Sequence, residues 1–263
     1  MQERLSLNNL YFELLSKFHS LSFSGAQSVS IPSMKLNAFP ELYLQRQIRH
    51  TDLSQLYVLP TGQLLTKVLL QEELRCLNLN GEEVWNSCKI SKSTCLAHHG
   101  NIIYCIRYSI SGACTIIHYT DYHNLRKGRE TVLFRHYAPK SYITWDILAD
   151  SHHLVVVQQC DEHTTTKPSK LLIHNFTSQS KQYIQADICV RAACFHADGD
   201  MLILTPNDSL YKYKINSMNL TISKQWQCSG LTGSLSVCSA AGITYVGAED
   251  CIYVISMFGE LNI

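Results

Sequence analysis

Two adjacent histidine pairs, His98-His99 and His152-His153, are the first residues of this sequence whose type and spacing speak of chemistry. A metal site needs two or three imidazoles converging on one open coordination position. Neighbouring residues on a strand point to opposite faces, so neither pair closes on one ion alone. Both pairs read instead as polar residues of the turn between the first two strands of a repeat. Cys160 and His163, with His174 further on, give a C-x-x-H fragment in a Thr/Lys/Pro-rich stretch that has no fourth ligand at zinc spacing. Nucleophilic catalysis finds no G-x-S-x-G, and the nearest run, Gly230-Leu231-Thr232-Gly233-Ser234, reads as a loop between repeats. Neither of the glycine motifs that cradle phosphate occurs. No catalytic residue, metal or cofactor is therefore assigned, and the expectation is that the chain is not an enzyme.

One segment rises above this background. In HYTDYHNLRKGRETVLFRHYAPKSYITW, Arg126, Lys127, Arg129, Arg135 and Lys140 face only Asp121 and Glu130, with Tyr122, Phe134, Tyr137 and Tyr142 interleaved. Cations mixed with stackable rings are what single-stranded nucleic acid binding uses. The candidate RNA-binding set within residues 122–142 is Tyr122, Arg126, Lys127, Arg129, Arg135, Tyr137 and Lys140. The competing reading is a solvated loop, with Val132-Leu133-Phe134 in the outer strand of a repeat.

The chain that must position these residues has 263 of them, 46% apolar and 16% charged, which is the composition of a globular protein. Its net charge of +1 excludes a globally basic or acidic chain, so any nucleic-acid affinity has to come from a local patch. Glu13 and Lys17 interrupt the N-terminal stretch where a secretory signal would lie. Apolar runs such as Leu154-Val155-Val156-Val157 fall far short of the roughly 20 residues that span a bilayer. The 11 cysteines are odd in number, form no C-x-x-C, and sit mostly in apolar strand-like runs (Cys76, Cys105, Cys114, Cys189, Cys238, Cys251). That pattern predicts reduced thiols and a cytoplasmic location. Three sequons, at Asn175, Asn207 and Asn219, are expected to be unused, and neither a membrane nor DNA is expected as a partner.

The elements repeat. A strand-like run, a turn carrying Gly, Asp or Ser, a β-rich run, a polar turn and further runs recur near residues 53–88, 93–135, 142–184, 190–224 and 234–263. The shared turn falls at Gly62, Gly100, Ser151, Gly199 and Gly242, with separations of 38, 51, 48 and 43 residues. That is the period of a four-stranded propeller blade. A β-sandwich also shows short strands, but gives no reason for this recurrence. The expected fold is all-β, a β-propeller of five or six four-stranded blades over residues 27–263. Residues 1–26 are read as a short N-terminal helix and linker, with Leu7, Leu10, Leu14 and Phe18 on one stripe. Residues 27–31 and 39–49 are candidate strands of an incomplete sixth blade.

Several repeats resemble those of NHL-type propellers, including the C-terminal propellers of TRIM-like proteins. The residues that carry this are Leu59-Pro60-Thr61-Gly62-Gln63-Leu64-Leu65, Leu77 to Val84, Ala241-Gly242-Ile243-Thr244-Tyr245-Val246 and Phe258-Gly259-Glu260-Leu261. The resemblance spans residues 50–263 and implies a propeller, with RNA binders among its relatives. The stretch Gly81-Glu82-Glu83-Val84-Trp85 also looks like a quinoprotein-type repeat. Trp145-Asp146 precedes its turn, unlike the pair that closes a WD40 repeat. No RING or B-box module is present, so ubiquitin-ligase activity is excluded. The expected function is a non-catalytic platform for protein–protein interaction. The alternatives are the RNA-binding segment 122–142 and a hydrolase site at the mouth of the channel.

Overall fold

The computed structural model describes residues 53–58, 63–68, 73–78, 82–89, 95–108, 113–119, 129, 131–137, 142–160, 167–240, 242–248 and 251–262. The amphipathic helix expected near the N-terminus and the candidate sixth-blade strands lie outside the described residues. Among the described residues the regular structure is all strand, in five four-stranded sheets. The first sheet is Leu53–Val58 (β1), Leu64–Val68 (β2), Glu73–Leu77 (β3) and Glu83–Lys89 (β4). The second is Leu96–His99 (β5), Ile102–Tyr108 (β6), Ala113–Tyr119 (β7) and Thr131–Tyr137 (β8). The third is Tyr142–Ala149 (β9), His153–Cys160 (β10), Lys170–Asn175 (β11) and Lys181–Gln185 (β12). The fourth is Ala192–Phe195 (β13), Met201–Leu204 (β14), Leu210–Ile215 (β15) and Ile222–Cys228 (β16). The fifth is Ser234–Ala240 (β17), Ile243–Ala248 (β18), Ile252–Ile255 (β19) and Leu261–Asn262 (β20).

Each sheet is a simple antiparallel meander in chain order. The first strands sit side by side, β5 against β9, β9 against β13 and β13 against β17, and so form the inner wall. The fourth strands are the outer edges. Among the described residues this is a β-propeller of five blades, within the five or six that the repeat predicts. The hairpins joining first to second and third to fourth strands share one end of the molecule, called here the upper face. The remaining turns and the links between blades share the lower face.

Among the described residues no backbone ladder joins one sheet to the next, so side chains hold these blades together. Middle strands are apolar on both faces because each face meets a different neighbour. On β14, Met201 and Ile203 pack toward β10 and β11, while Leu202 and Leu204 pack toward β17 and β18. Leu154, Val156 and Leu172 of the third blade meet Ile106, Ile116 and Phe134 of the second in the same way. A fully buried aliphatic side chain contributes about 1.5–3 kcal/mol relative to an exposed one, so each sandwich of this kind outweighs any single surface contact.

The repeated turn has a backbone cause. Gly100, Gly199 and Gly242 lie in the β5–β6, β13–β14 and β17–β18 hairpins with φ of 55°, 84° and 78°, a region that costs side-chain-bearing residues steric energy. Gly62 lies outside the described residues. Of the ten cysteines whose side chains are described, seven are buried and all ten are free thiols. Cys189 and Cys251 sit just outside strands. No described helix is long and apolar enough to cross a membrane.

Candidate functional site

Between the outer parts of the third and fourth blades runs a groove of about 500 Å³. Its floor and walls include Ile184, Asp187, Tyr213, Thr221, Ile222 and Lys224. Pairing of Leu171 with Ile184 places Gln182 and Ile184 on the face of β12 that turns to the fourth blade, where Ile184 packs on the shared core. Tyr213 is buried, and its hydroxyl donates to Asp187 at 2.9 Å. Burial and the Asp187 carboxylate both push that phenol far above its usual range. Lys224 lies 4.6 Å from the centre of the Tyr211 ring. The groove is thus apolar at its base, with one cation and one carboxylate at its rim.

The other face of β12 is anchored to the second blade. Lys181 stands 4.3 Å over the Phe134 ring, and the Tyr183 hydroxyl donates to the Tyr137 carbonyl at 3.1 Å. Beneath them the His136 imidazole is buried. Desolvation lowers its pKa to about 4; hydrogen bonding at the Tyr137 backbone opposes this, and the charge on Lys181 reinforces it.

The backbone of β12 is the chemically open part. Ladder bonds from Asn175 to Ser180 and from Ala186 to Ser169 bracket the strand. By the alternation of an antiparallel ladder, Gln182 and Ile184 bond to β11, while the N–H and C=O groups of Lys181, Tyr183 and Gln185 point outward. Outer edges are usually blunted against further pairing by bulges or shortness. That holds for the other blades: pairing is irregular along β4, β8 and β16, and β20 has two residues. Among the described outer strands, β12 alone pairs along five residues without a break.

The expected RNA-binding residues divide. Tyr122, Arg126, Lys127 and Lys140 lie outside the described residues. Arg129 is exposed before β8, and Arg135 and Tyr137 alternate onto one exposed side of that strand. Phe134 turns inward to the core, and Tyr142 is covered by Lys170 at 4.4 Å. At the channel wall, Ile143 and Trp145 of β9 are exposed, and the Trp145 indole donates to the Arg191 carbonyl at 3.1 Å. The described residues hold no cluster of three or more metal-ligating side chains.

The upper face carries polar ties between blades that no linear motif announces. His99 is exposed at the end of β5, and His98 beside it is half-buried. His152 is exposed in its turn, while His153 opens β10 and is buried. The His153 Nδ1 lies 3.6 Å from Asp150 Oδ1, and its Nε2 lies 3.0 Å from Ser217 Oγ in the turn after β15. At the next interface the His196 Nδ1 lies 2.8 Å from Asp198, and its Nε2 3.2 Å from the Gly242 carbonyl oxygen. Lys212, buried, closes on Asp198 and lies 3.5 Å from Asp200. Asp198 titrates at about 2: burial works to raise it, and the bonds from Lys212, the Asp200 backbone and His196 overcome that.

No protein-family model matches the sequence, and no curated protein matches it either. Solved structures do share its shape. Luciferin-regenerating enzyme superposes with a TM-score of 0.54 at 11% identity, over 76% of this chain and 71% of that one. Virginiamycin B lyase from Staphylococcus aureus superposes with a TM-score of 0.50 at 11% identity, over 79% and 82%. The shared feature is the β-propeller. Identity this low carries the fold and nothing finer, and the NHL-type resemblance has no family match behind it. The two likenesses overturn the expectation that the chain is not an enzyme, because named enzymes are built on this fold. That expectation rests on the lack of linear motifs alone. A propeller gathers its groups from separate blades, as Asp150, His153 and Ser217 are gathered here, so a missing motif excludes nothing.

Proposed function

We propose that this propeller is a platform for protein–protein interaction, and that it holds an extended segment of its partner along β12. The outward backbone groups of Lys181, Tyr183 and Gln185 carry the reading, because a strand added there completes a ladder that is regular and has no further partner strand among the described residues. Alternate side chains of the added strand would drop into the groove against Ile184, Tyr213 and Ile222. A carboxylate on that strand would meet Lys224.

The test uses random seven-residue linear peptides displayed on phage, selected against the protein and measured in solution as synthetic peptides. Thr221→Trp fills the groove from an exposed turn. Gln185→Pro removes an outward N–H that takes no part in the β11–β12 ladder, where an edge strand tolerates proline. Each change is expected to weaken the selected peptide by roughly tenfold or more, since a lost interfacial hydrogen bond and a blocked approach combine. Peptides that bind both variants as tightly as the native protein would contradict the reading.

RNA is the second reading, favoured by exposed Arg135 and Tyr137 on one side of β8 and by exposed Arg129 before it. Single-stranded oligonucleotides should then bind with a salt slope that falls by about 0.7 when Arg135 becomes Ala, one phosphate contact being lost. No binding at low salt would dismiss it.

A further inference from the structure

On the upper face, between the third and fourth blades, four side chains from three segments converge. His153 Nε2 is 3.0 Å from Ser217 Oγ, and its Nδ1 is 3.6 Å from Asp150 Oδ1. Asn175 Nδ2 lies 3.5 Å from the Ser217 carbonyl oxygen. We propose that these residues form a serine acyl-hydrolase site for small carboxylic esters, with Ser217 as the nucleophile. The proposal stands apart from the peptide-binding reading, which concerns the outer wall.

The order of groups is that of a nucleophile, a base and an orienting carboxylate, with the first pair at hydrogen-bond distance and the second at the 3.6 Å of an ion pair. Burial grades along the chain in the useful direction. Asp150 and His153 are sealed, whereas Ser217 sits on an exposed turn where a substrate can reach it. Asp150 is held in place by the backbone N–H groups of His152 and His153, which donate to its Oδ1. Burial works to raise its pKa, but the hydrogen bonds from His153 and His152 hold the carboxyl below its usual range, so it remains an anion beside the imidazole. Asp150 is a positioning residue. Asn175 is pinned as firmly: its Oδ1 accepts from the N–H groups of Thr177 and Ser178 at 2.8 and 2.9 Å, which turns its NH₂ toward Ser217. An amide so fixed ties the backbone of the Ser217 turn to the third blade, which makes Asn175 a positioning residue.

The neighbouring interface supplies an internal comparison. There His196 makes the equivalent bridge to the fifth blade, but its Nε2 meets the Gly242 carbonyl, which has no proton to give. Tying two blades together therefore needs no hydroxyl. The third blade ends its bridge on one.

In the acylation step, the Ser217 Oγ–H proton passes to His153 Nε2 as the Oγ–acyl carbon bond forms. The carbonyl π electrons move onto oxygen as the tetrahedral intermediate forms. Collapse breaks the acyl carbon–oxygen bond of the ester, and the imidazolium returns its proton to the departing alkoxide. Water then repeats the sequence, releasing the carboxylic acid and restoring Ser217. Met218 beside the nucleophile is almost fully exposed, so no wall is present there to select a long acyl chain.

The test uses the full chain, p-nitrophenyl acetate and a fluorophosphonate probe. Expected are a burst of one equivalent of p-nitrophenolate and a phosphonate adduct mapped by mass spectrometry to Ser217. Ser217→Ala, on an exposed turn, should keep the native melting curve and lose both signals, with turnover down roughly a hundredfold or more. Asp150→Asn should keep a burst of one equivalent while lowering the rate of the burst and of labelling, whereas a general loss of fold would lower the burst amplitude. A label on another residue, no label, or a Ser217→Ala protein that hydrolyses the ester at the native rate would overturn the proposal.

Discussion

At the scale of single residues, two glycines with the same backbone sign separate strain from crowding. Gly242 has φ of 78° and open space where a Cβ would stand; Gly259 has φ of 85°, and a Cβ there would come within 2.8 Å of the Trp226 ring. Trp226 is held by its own indole, which donates to the Met257 carbonyl at 3.1 Å, so it cannot simply move away. Gly242→Ala should cost about 1 kcal/mol, the left-handed conformation alone. Gly259→Ala should cost roughly 2–4 kcal/mol, because overpacking adds to it. Chemical denaturation of both variants measures the gap, and equal losses would contradict this account of Trp226. Gly242 and its equivalents were legible in the sequence, since a tight hairpin demands them by type. The Ser217–His153 contact was not. The two residues lie 64 apart in sequence, and only the stacking of blades brings them together.

His136 gives a prediction in pH at the same scale. Burial, opposed by the Tyr137 backbone and aided by Lys181, lowers its pKa to about 4 in the folded protein, against roughly 6.5 in an unfolded chain. Burial likewise lowers His174 and His118. Between those two values the unfolded chain binds a proton that the folded one refuses, so stability falls as pH falls through this window and is complete above it. For His136 alone the full effect is roughly 3 kcal/mol. Native protein should therefore lose melting temperature from pH 7 to 4.5 more steeply than His136→Gln. Parallel curves would contradict the buried neutral imidazole. The depressed carboxyls of Asp150 and Asp198 act in the same direction at lower pH.

At the scale of elements, the decisive comparison is among outer strands. The cations and rings of residues 122–142 drew attention in the sequence, yet strand geometry redistributes them. On β8 the period of two sends Phe134 and His136 inward and leaves Arg135 and Tyr137 outside. The sequence KQYIQ of β12 announces nothing, because a regular edge is defined by pairing, and pairing depends on where bulges fall in partner strands. Lys181 is the one charge on it, and that charge is spent over Phe134. An edge with neither bulge nor free charge is open to strand addition.

At the scale of the whole molecule, the propeller was legible because one strand–turn–strand unit recurs every 38 to 51 residues, and each middle strand must be apolar on two faces. Function was less legible, since both the groove and the Asp150–His153–Ser217 group lie between blades, where no contiguous motif can record them. The most direct measurement is amide hydrogen exchange across the protein with and without a phage-selected peptide. Protection is expected to rise at Lys181, Tyr183 and Gln185, whose N–H groups face outward, with little change at Gln182 and Ile184, already bonded within the ladder. Protection that appears at the channel mouth or on β8, with β12 unchanged, would contradict it.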